Sequence, residues 1–258
     1  MKQWALILGS SSGFGAATCK ELALKGINIY GIHLDRKSSM EKVNELTKSL
    51  KSRGVKVIFK NISATDQWKR AEVINELKNI GNIKIKIMLH SLAFGSLKAT
   101  ISKNKSDLLN QKQIEMTQDV MANSIIYWVQ DLFAANLISK GSQIFAMTSS
   151  GGHRQWETYG AVSAAKASLE SYTRQLAFEL SKFGIGVNSI QAGVTDTPAL
   201  RKIPNYEAMI QYAKKINPGK RLTLPEDVAK IISLIGLSEE SWLTGNTLRV
   251  DGGEDITG

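Results

Sequence analysis

A lone cysteine, Cys19, in 258 residues leaves no intrachain disulfide framework and no thiolate cage for a metal, and no metal site is expected. Long apolar runs are also missing. The first, at 4–8, covers five residues before Gly9-Ser-Ser-Ser, against about 20 for a membrane span and about 7–15 for a secretory leader. A cytoplasmic protein with no membrane partner is the expectation. Blocks of like charge are absent too: the net charge is +10, yet the Lys and Arg residues are dispersed, so nucleic acid is not an expected partner. No internal repeat or low-complexity tract interrupts the chain. With 43% apolar and 22% charged residues, the composition is that of an ordinary globular protein, and the length suits one domain over 1–258.

What is present is an alternation. Apolar runs at 4–8, 28–34, 55–59, 83–89, 141–147, 186–191 and 247–250 read as strands, apolar on both faces as buried parallel strands are. Helical spacing fills the intervals at 16–25, 40–53, 65–79, 113–139, 159–180 and 224–235. The pattern predicts an α/β fold: a doubly wound, seven-stranded parallel sheet with helices on both faces. The stretch 113–139 holds no Pro or Gly and is expected as one long helix, a packing wall. Residues 96–112 read as a surface loop, and about 198–221 as a small insertion that would serve as a substrate lid.

The first strand runs into Gly9-Ser-Ser-Ser-Gly13-Phe-Gly15 and then a helix. Glycines there let backbone approach a pyrophosphate, and the helix start offers free N–H groups and a positive dipole end, so Gly9, Ser11, Ser12, Gly13, Phe14 and Gly15 are candidate cofactor contacts. Asp35-Arg36-Lys37 follows the second strand, where the adenosine ribose would lie. A carboxylate accepts from a 2′-hydroxyl and cations hold a 2′-phosphate; Arg36 and Lys37 weigh the expectation towards NADPH, with NADH open because of Asp35. Asn61 and Ile62 end the third strand, beside the adenine. Ser91, Leu92 and Ala93 leave the fourth strand next to the expected switch point and face the crevice.

Tyr159 and Lys166 are seven residues apart, about two helical turns or 10 Å, so a phenol and an ammonium share one helix face. An ammonium nearby favours the ionised phenol and makes it a usable proton donor. Ser149, at the end of the fifth strand, could reach the same crevice. Asn123 is unusual in mid-helix among apolar Val120, Met121, Ile125 and Ile126.

Together, Gly9, Gly13 and Gly15, Asn123, Ser149, Tyr159 with Lys166, Gly193-Val-Thr195-Asp-Thr197 and Val250-Asp-Gly-Gly resemble the short-chain dehydrogenase/reductase family over nearly the whole chain. No Tyr has a Lys four residues later; the seven-residue spacing is similar to the divergent branch that includes enoyl-acyl-carrier-protein reductases, in its NADPH-using form. The resemblance implies a Rossmann fold, a catalytic set of Tyr159, Lys166, Ser149 and Asn123, and a carboxamide held by Gly193, Thr195 and Thr197. Lys166 would also anchor the nicotinamide ribose. It implies an acyl thioester substrate, an acyl carrier protein as partner, and a homotetramer. Ser149 stands where many enoyl reductases carry a second Tyr, and matches the catalytic Ser of carbonyl-reducing relatives, so reduction of a 3-oxoacyl group, ketone or aldehyde stays open beside enoyl reduction. A dinucleotide-binding regulator without turnover is the third reading. Arg201, Lys202, Lys214, Lys215, Lys220 and Arg221 cluster in and beside the expected lid, a surface suited to an acidic carrier.

Overall fold

The seven strands are β1 (Lys2–Leu8), β2 (Asn28–His33), β3 (Val57–Asn61), β4 (Ile83–His90), β5 (Gln143–Ser149), β6 (Gly186–Ala192) and β7 (Thr247–Val250). In the computed structural model, which describes residues 1–238 and 242–257, they pair in parallel as one sheet of order β3-β2-β1-β4-β5-β6-β7. The strand order reverses at β1, so the crevice opens between the carboxyl ends of β1 and β4.

Alternation along each strand decides which helices cover which face. Leu6, Leu8, Ile85 and Ile144 point to one side, where they pack with α3 (Gln67–Ile80), α5 (Ser124–Ala134) and α6 (Gly160–Leu180). Ala5, Ile7, Ile87 and Phe145 point to the other, against α1 (Gly13–Leu24), α2 (Met40–Lys51) and α8 (Pro225–Leu237). The two faces explain why the strands show no polar periodicity. One irregularity breaks the β1–β4 register: Trp4 pairs with Ile85 and Ala5 with Ile87, which leaves Lys86 between them. Lys86 is buried, and its ammonium donates to the carbonyls of Gly141 and Ser238 at 2.7 Å each, so the charge is hydrogen-bonded inside the fold.

The expected helix over 113–139 is three pieces. An α-helix, α4 (Gln111–Gln118), passes into a π-helical turn at Asp119–Asn123 and then into α5, which ends at Ala134. Apolar spacing cannot register such a widening. Ser124 Oγ bonds back to the Val120 carbonyl at 2.8 Å, the competition with helical bonding that small hydroxyl residues bring. Asn136 then takes φ 55° and turns the chain out of the helix, well before residue 139. Strands β3 and β5 lie two residues later than their apolar cores suggest, because pairing extends into the polar residues at their carboxyl ends. Between β6 and α8, the insertion holds a short turn and α7 (Tyr206–Ile216).

Trp128 of α5 is fully buried and its indole N–H donates to Ala64 O at 2.9 Å, joining α5 to the loop after β3. Trp128→Ala is expected to lower the unfolding free energy by about 3–5 kcal/mol, from lost transfer energy plus a cavity. Urea denaturation checks this; a loss under about 1 kcal/mol would contradict the packing described.

Candidate active site

The carboxyl ends of β1, β2, β4, β5 and β6 border a single crevice of about 750 Å³. Its floor at one end is the glycine turn. Gly9 (φ 89°) presses on the next loop so closely that a Cβ there would fall 2.2 Å from Ser91 O, and a Cβ on Gly15 would fall 2.0 Å from Gly9 O. Gly15 is therefore a packing residue under the crevice, whereas Gly9, Ser11, Ser12, Gly13 and Phe14 line it. Helix α1 starts there with no side-chain cap and no acid in its first turn. Its free N–H groups and positive end face a glycine-lined space, a donor set that fits a pyrophosphate.

At the end expected to hold the adenosine, Asp35 lines the crevice together with Ile62, and Arg36 and Lys37 do not: both are exposed. Asp35 is fixed on three sides. His33 Nδ1 lies 2.9 Å from its carboxylate, its backbone N–H donates to Asn61 Oδ1 at 2.9 Å, and Asn61 Nδ2 donates to its carbonyl at 2.9 Å. Asn61, expected beside the adenine, instead spends its amide on holding Asp35 and does not line the crevice. Ser91, Leu92 and Ala93 line the opposite wall as expected.

At the other end stand Ser149, Tyr159 and Lys166. Tyr159 is the N-cap of α6 rather than a residue within it, with φ −96° and ψ 1°, and Lys166 lies on the helix two turns on. Contrary to the expectation that Lys166 would favour the ionised phenol, burial raises the Tyr159 phenol above its ordinary range, and what opposes the shift is the neighbouring Ser149 hydroxyl. Ser149 Oγ is itself buried and has no hydrogen-bond partner. Gly151 explains how the two meet: a Cβ there would lie 2.4 Å from Tyr159 Cε1 and 3.3 Å from Ser149 Oγ, so the ring rests on the space a side chain would fill. Lys166 is 6% exposed, donates to Met147 O at 2.7 Å, and is held down at about 8 by burial, while the Glu170 carboxylate one turn on works against the shift. Glu170 in turn accepts from Thr148 Oγ1 at 2.6 Å.

His90 lies below the crevice, fully buried and lowered to about 3 by burial first and the charge of Lys166 second. Ser124 Oγ has already given its proton to Val120 O, so the 2.8 Å contact with His90 Nε2 makes that nitrogen the donor and leaves Nδ1 a bare acceptor with no partner. Asn123 closes the π-helical turn, and its Oδ1 accepts from Tyr172 Oη at 3.1 Å. Its side chain does not line the crevice.

Gly193, Thr195 and Thr197 line the crevice at the end expected to hold the carboxamide; Thr195 Oγ1 donates to Gly193 O at 2.9 Å and Thr197 Oγ1 caps Leu200 N at 3.2 Å. Beyond them the walls turn apolar, with Met116, Val120 and Met121 on one side and Leu200, Ile203 and Met209 on the other. Sequence reasoning missed Arg154, Glu254 and Asp255, which also line the crevice. Glu254 and Asp255 directly follow the Val250-Asp-Gly-Gly motif, but only the sheet topology brings them, and Arg154, to the crevice.

Fold and site together define a short-chain dehydrogenase/reductase, an oxidoreductase class served by a nicotinamide dinucleotide. The chain belongs to that family: the group described as enoyl-(acyl carrier protein) reductase matches residues 9–254. It is 30% identical to the Enterococcus faecalis enoyl-[acyl-carrier-protein] reductase [NADH] FabI over 170 residues, 66% of each chain. Its match to Streptomyces collinus 1-cyclohexenylcarbonyl-CoA reductase is 33% identical and spans 48% of this chain and 45% of the relative, less than half the relative's length. The 3-oxoacyl-[acyl-carrier-protein] reductase FabG of Buchnera aphidicola subsp. Schizaphis graminum is 25% identical over 99% of this chain and 98% of its own. Among solved structures, the Aquifex aeolicus enoyl-[acyl-carrier-protein] reductase (NADH) superposes with a TM-score of 0.82 at 21% identity, covering 100% of this chain and 98% of that one, which establishes the shared fold. Among the described residues, no helix is long and apolar enough to cross a membrane.

The buried ammonium generates a pH prediction. Below about pH 8 both states of Lys166 are protonated and the full burial cost is present; between about 8 and 10.5 the native state releases its proton first, so stability rises with pH. Lys166→Met should abolish a rise of about 3 kcal/mol across that window, measured as urea unfolding at about pH 7.5 and 10. Equal pH dependence in wild type and variant would contradict the burial of the charge.

Proposed function

We propose that this protein reduces the carbon–carbon double bond of an enoyl thioester, with NADH as the preferred reductant. The observation that carries this reading is the placement of Tyr159 and Lys166 at the junction between the glycine-lined, donor-rich half of the crevice and its apolar half. When bound, the reduced nicotinamide supplies the hydride, which adds at the β-carbon of the thioester. Charge then develops on the thioester oxygen, where Tyr159 would donate its proton or a hydrogen bond; a donor fixed in a dry site before reaction is the effective kind. Lys166, charged at neutral pH and hydrogen-bonded to Met147 O, would hold the ribose hydroxyls and keep positive charge beneath the phenol. The methionine-lined apolar walls would take an acyl chain, adaptable to its shape.

A second reading, reduction of a carbonyl, is favoured by Ser149, whose buried hydroxyl neighbours the phenol as a second donor to a substrate oxygen would. The match to 3-oxoacyl reductases along the whole chain supports it as well.

The cofactor expectation moves from NADPH to NADH because Asp35 is the residue that faces the crevice, already braced by His33 and Asn61, while Arg36 and Lys37 are exposed at its rim. A 2′-phosphate would meet the carboxylate first. A carrier-protein partner would meet Lys202, Lys214, Lys215 and Lys220 first, since Arg201 and Arg221 are paired with Asp196 and Asp227 at 2.7 and 2.6 Å. A homotetramer would cover exposed Phe178, Phe133 and Phe183 on α6, on α5 and after α6.

Two predictions follow from the geometry. With crotonyl thioester and NADH, turnover is expected, and Tyr159→Phe should lower kcat by about 10²–10³-fold; turnover of acetoacetyl but not crotonyl thioester would sink the enoyl reading. Asp35→Ala should reduce the preference for NADH over NADPH, measured as the ratio of kcat/KM values, by at least about tenfold, the scale of a lost charge-assisted hydrogen bond. An unchanged ratio would remove Asp35 from cofactor choice.

A further inference from the structure

The turn that follows β7 touches both walls of the nicotinamide end and the exit of the lid. It is built by Asp251, whose carboxylate accepts from the backbone N–H groups of Gly253 and Asp255 at 2.9 and 3.0 Å. The last bond of the β6–β7 ladder region is Gly193 N to Val250 O at 3.3 Å; beyond it the chain leaves the sheet to cross the crevice, and Val194 N–H has no strand partner. Glu254, 8% exposed, supplies one instead: both carboxylate oxygens accept from Val194 N, at 3.0 and 3.2 Å. The turn sits so close that a Cβ on Gly193 would lie 3.0 Å from Glu254 Oε2 and 3.1 Å from Asp251 Cβ.

The neighbouring acid holds the other wall. Asp255 meets His153 at 3.2 Å and Arg154 at 3.1 Å, two residues of the loop between Ser149 and Tyr159, and it also meets Arg249 of β7 at 3.2 Å. Arg154 donates to the Asp255 carbonyl as well, at 2.7 Å. The lid is tied to the same turn through Asn217, 2% exposed, whose amide donates to Asp251 O at 2.8 Å.

We propose that this turn is a clasp that sets the two walls of the nicotinamide end relative to each other, with Glu254 the positioning residue for the 193–197 loop. The proposal rests on the reading of the crevice as a dinucleotide site and is independent of which acyl substrate is reduced. A carboxylate suits the role because it satisfies a part-buried backbone N–H that the diverging strands abandon, without adding a strand that would close the crevice. Burial pushes the Glu254 carboxyl above the usual range and the Val194 N–H pulls it back, as expected for an acid held by backbone rather than by solvent.

Calorimetric titration of NADH and of ADP-ribose, which lacks the nicotinamide, into wild type, Glu254→Ala and Glu254→Gln separates this role from a structural one. Binding of both ligands by wild type establishes the crevice, and the difference between variants reads the turn. Glu254→Ala should weaken NADH about tenfold, the scale of one lost buried hydrogen bond, and leave ADP-ribose within about twofold. Glu254→Gln, whose amide oxygen can still accept from Val194 N, should restore NADH binding to within about threefold of wild type. Equal weakening of both ligands by Glu254→Ala, no weakening of either, or a Gln variant as weak as the Ala variant would each overturn the proposal.

Discussion

Lys166 keeps an ammonium almost wholly out of water beneath the carboxyl end of β5, and the surroundings are arranged to tolerate it. An isolated charge in such a place would neutralise or unfold its neighbourhood. Here one proton goes to Met147 O and the Glu170 carboxylate lies one turn away, itself fixed by Thr148. His90, the next titratable group, stays neutral through its own burial first and this charge second. The outcome is a cation held near neutrality's edge directly under a phenol that burial has made reluctant to ionise. Burial sets both groups, Ser149 tempering the phenol and Glu170 the ammonium, so both depend on how the α6 start packs on the β5 loop.

Rigidity comes from the sheet's far side as much as from the helix. The β5 loop is held by Asp255, the β6 loop by Glu254, and the glycine turn by its contact with Ser91 O. Gly151 lets Tyr159 lie flat against the loop that also carries Ser149. A crevice between parallel strands is open by construction; these contacts fix its walls without filling it.

The seven strands, the helices between them and the glycine turn were legible in the residues, since each rests on a local pattern: apolar runs, 3.6-residue spacing, and glycines between strand and helix. Tyr159, Lys166 and Ser149 were legible as types at strand and helix ends, and the structure brings them to one place. The π-helical turn at Asp119–Asn123 was not, because an unbroken apolar pattern runs through it and apolar spacing does not register the widening. The orientation of Asp35 against Arg36 and Lys37 was not either, since adjacent residues leaving a strand face opposite ways and only the bracing by His33 and Asn61 decides which enters the crevice. Glu254 and Asp255 escaped for a topological reason: β7 lies beside β6, some 60 residues away in sequence, and no spacing rule links them.

The chemistry turns on where the hydride lands. On the proposed reading, the shared phenol and ammonium would serve either a double bond or a carbonyl, the apolar walls would take an acyl chain in both cases, and Ser149 would add a donor that enoyl reduction does not need. The direct test is reduction of crotonyl thioester with NADH carrying deuterium at both C4 positions, followed by NMR of the product. Butyryl thioester labelled at the β-carbon is the predicted result. Recovery of unchanged crotonyl thioester, with label appearing only on the hydroxyl-bearing carbon when acetoacetyl thioester is supplied, would contradict the account.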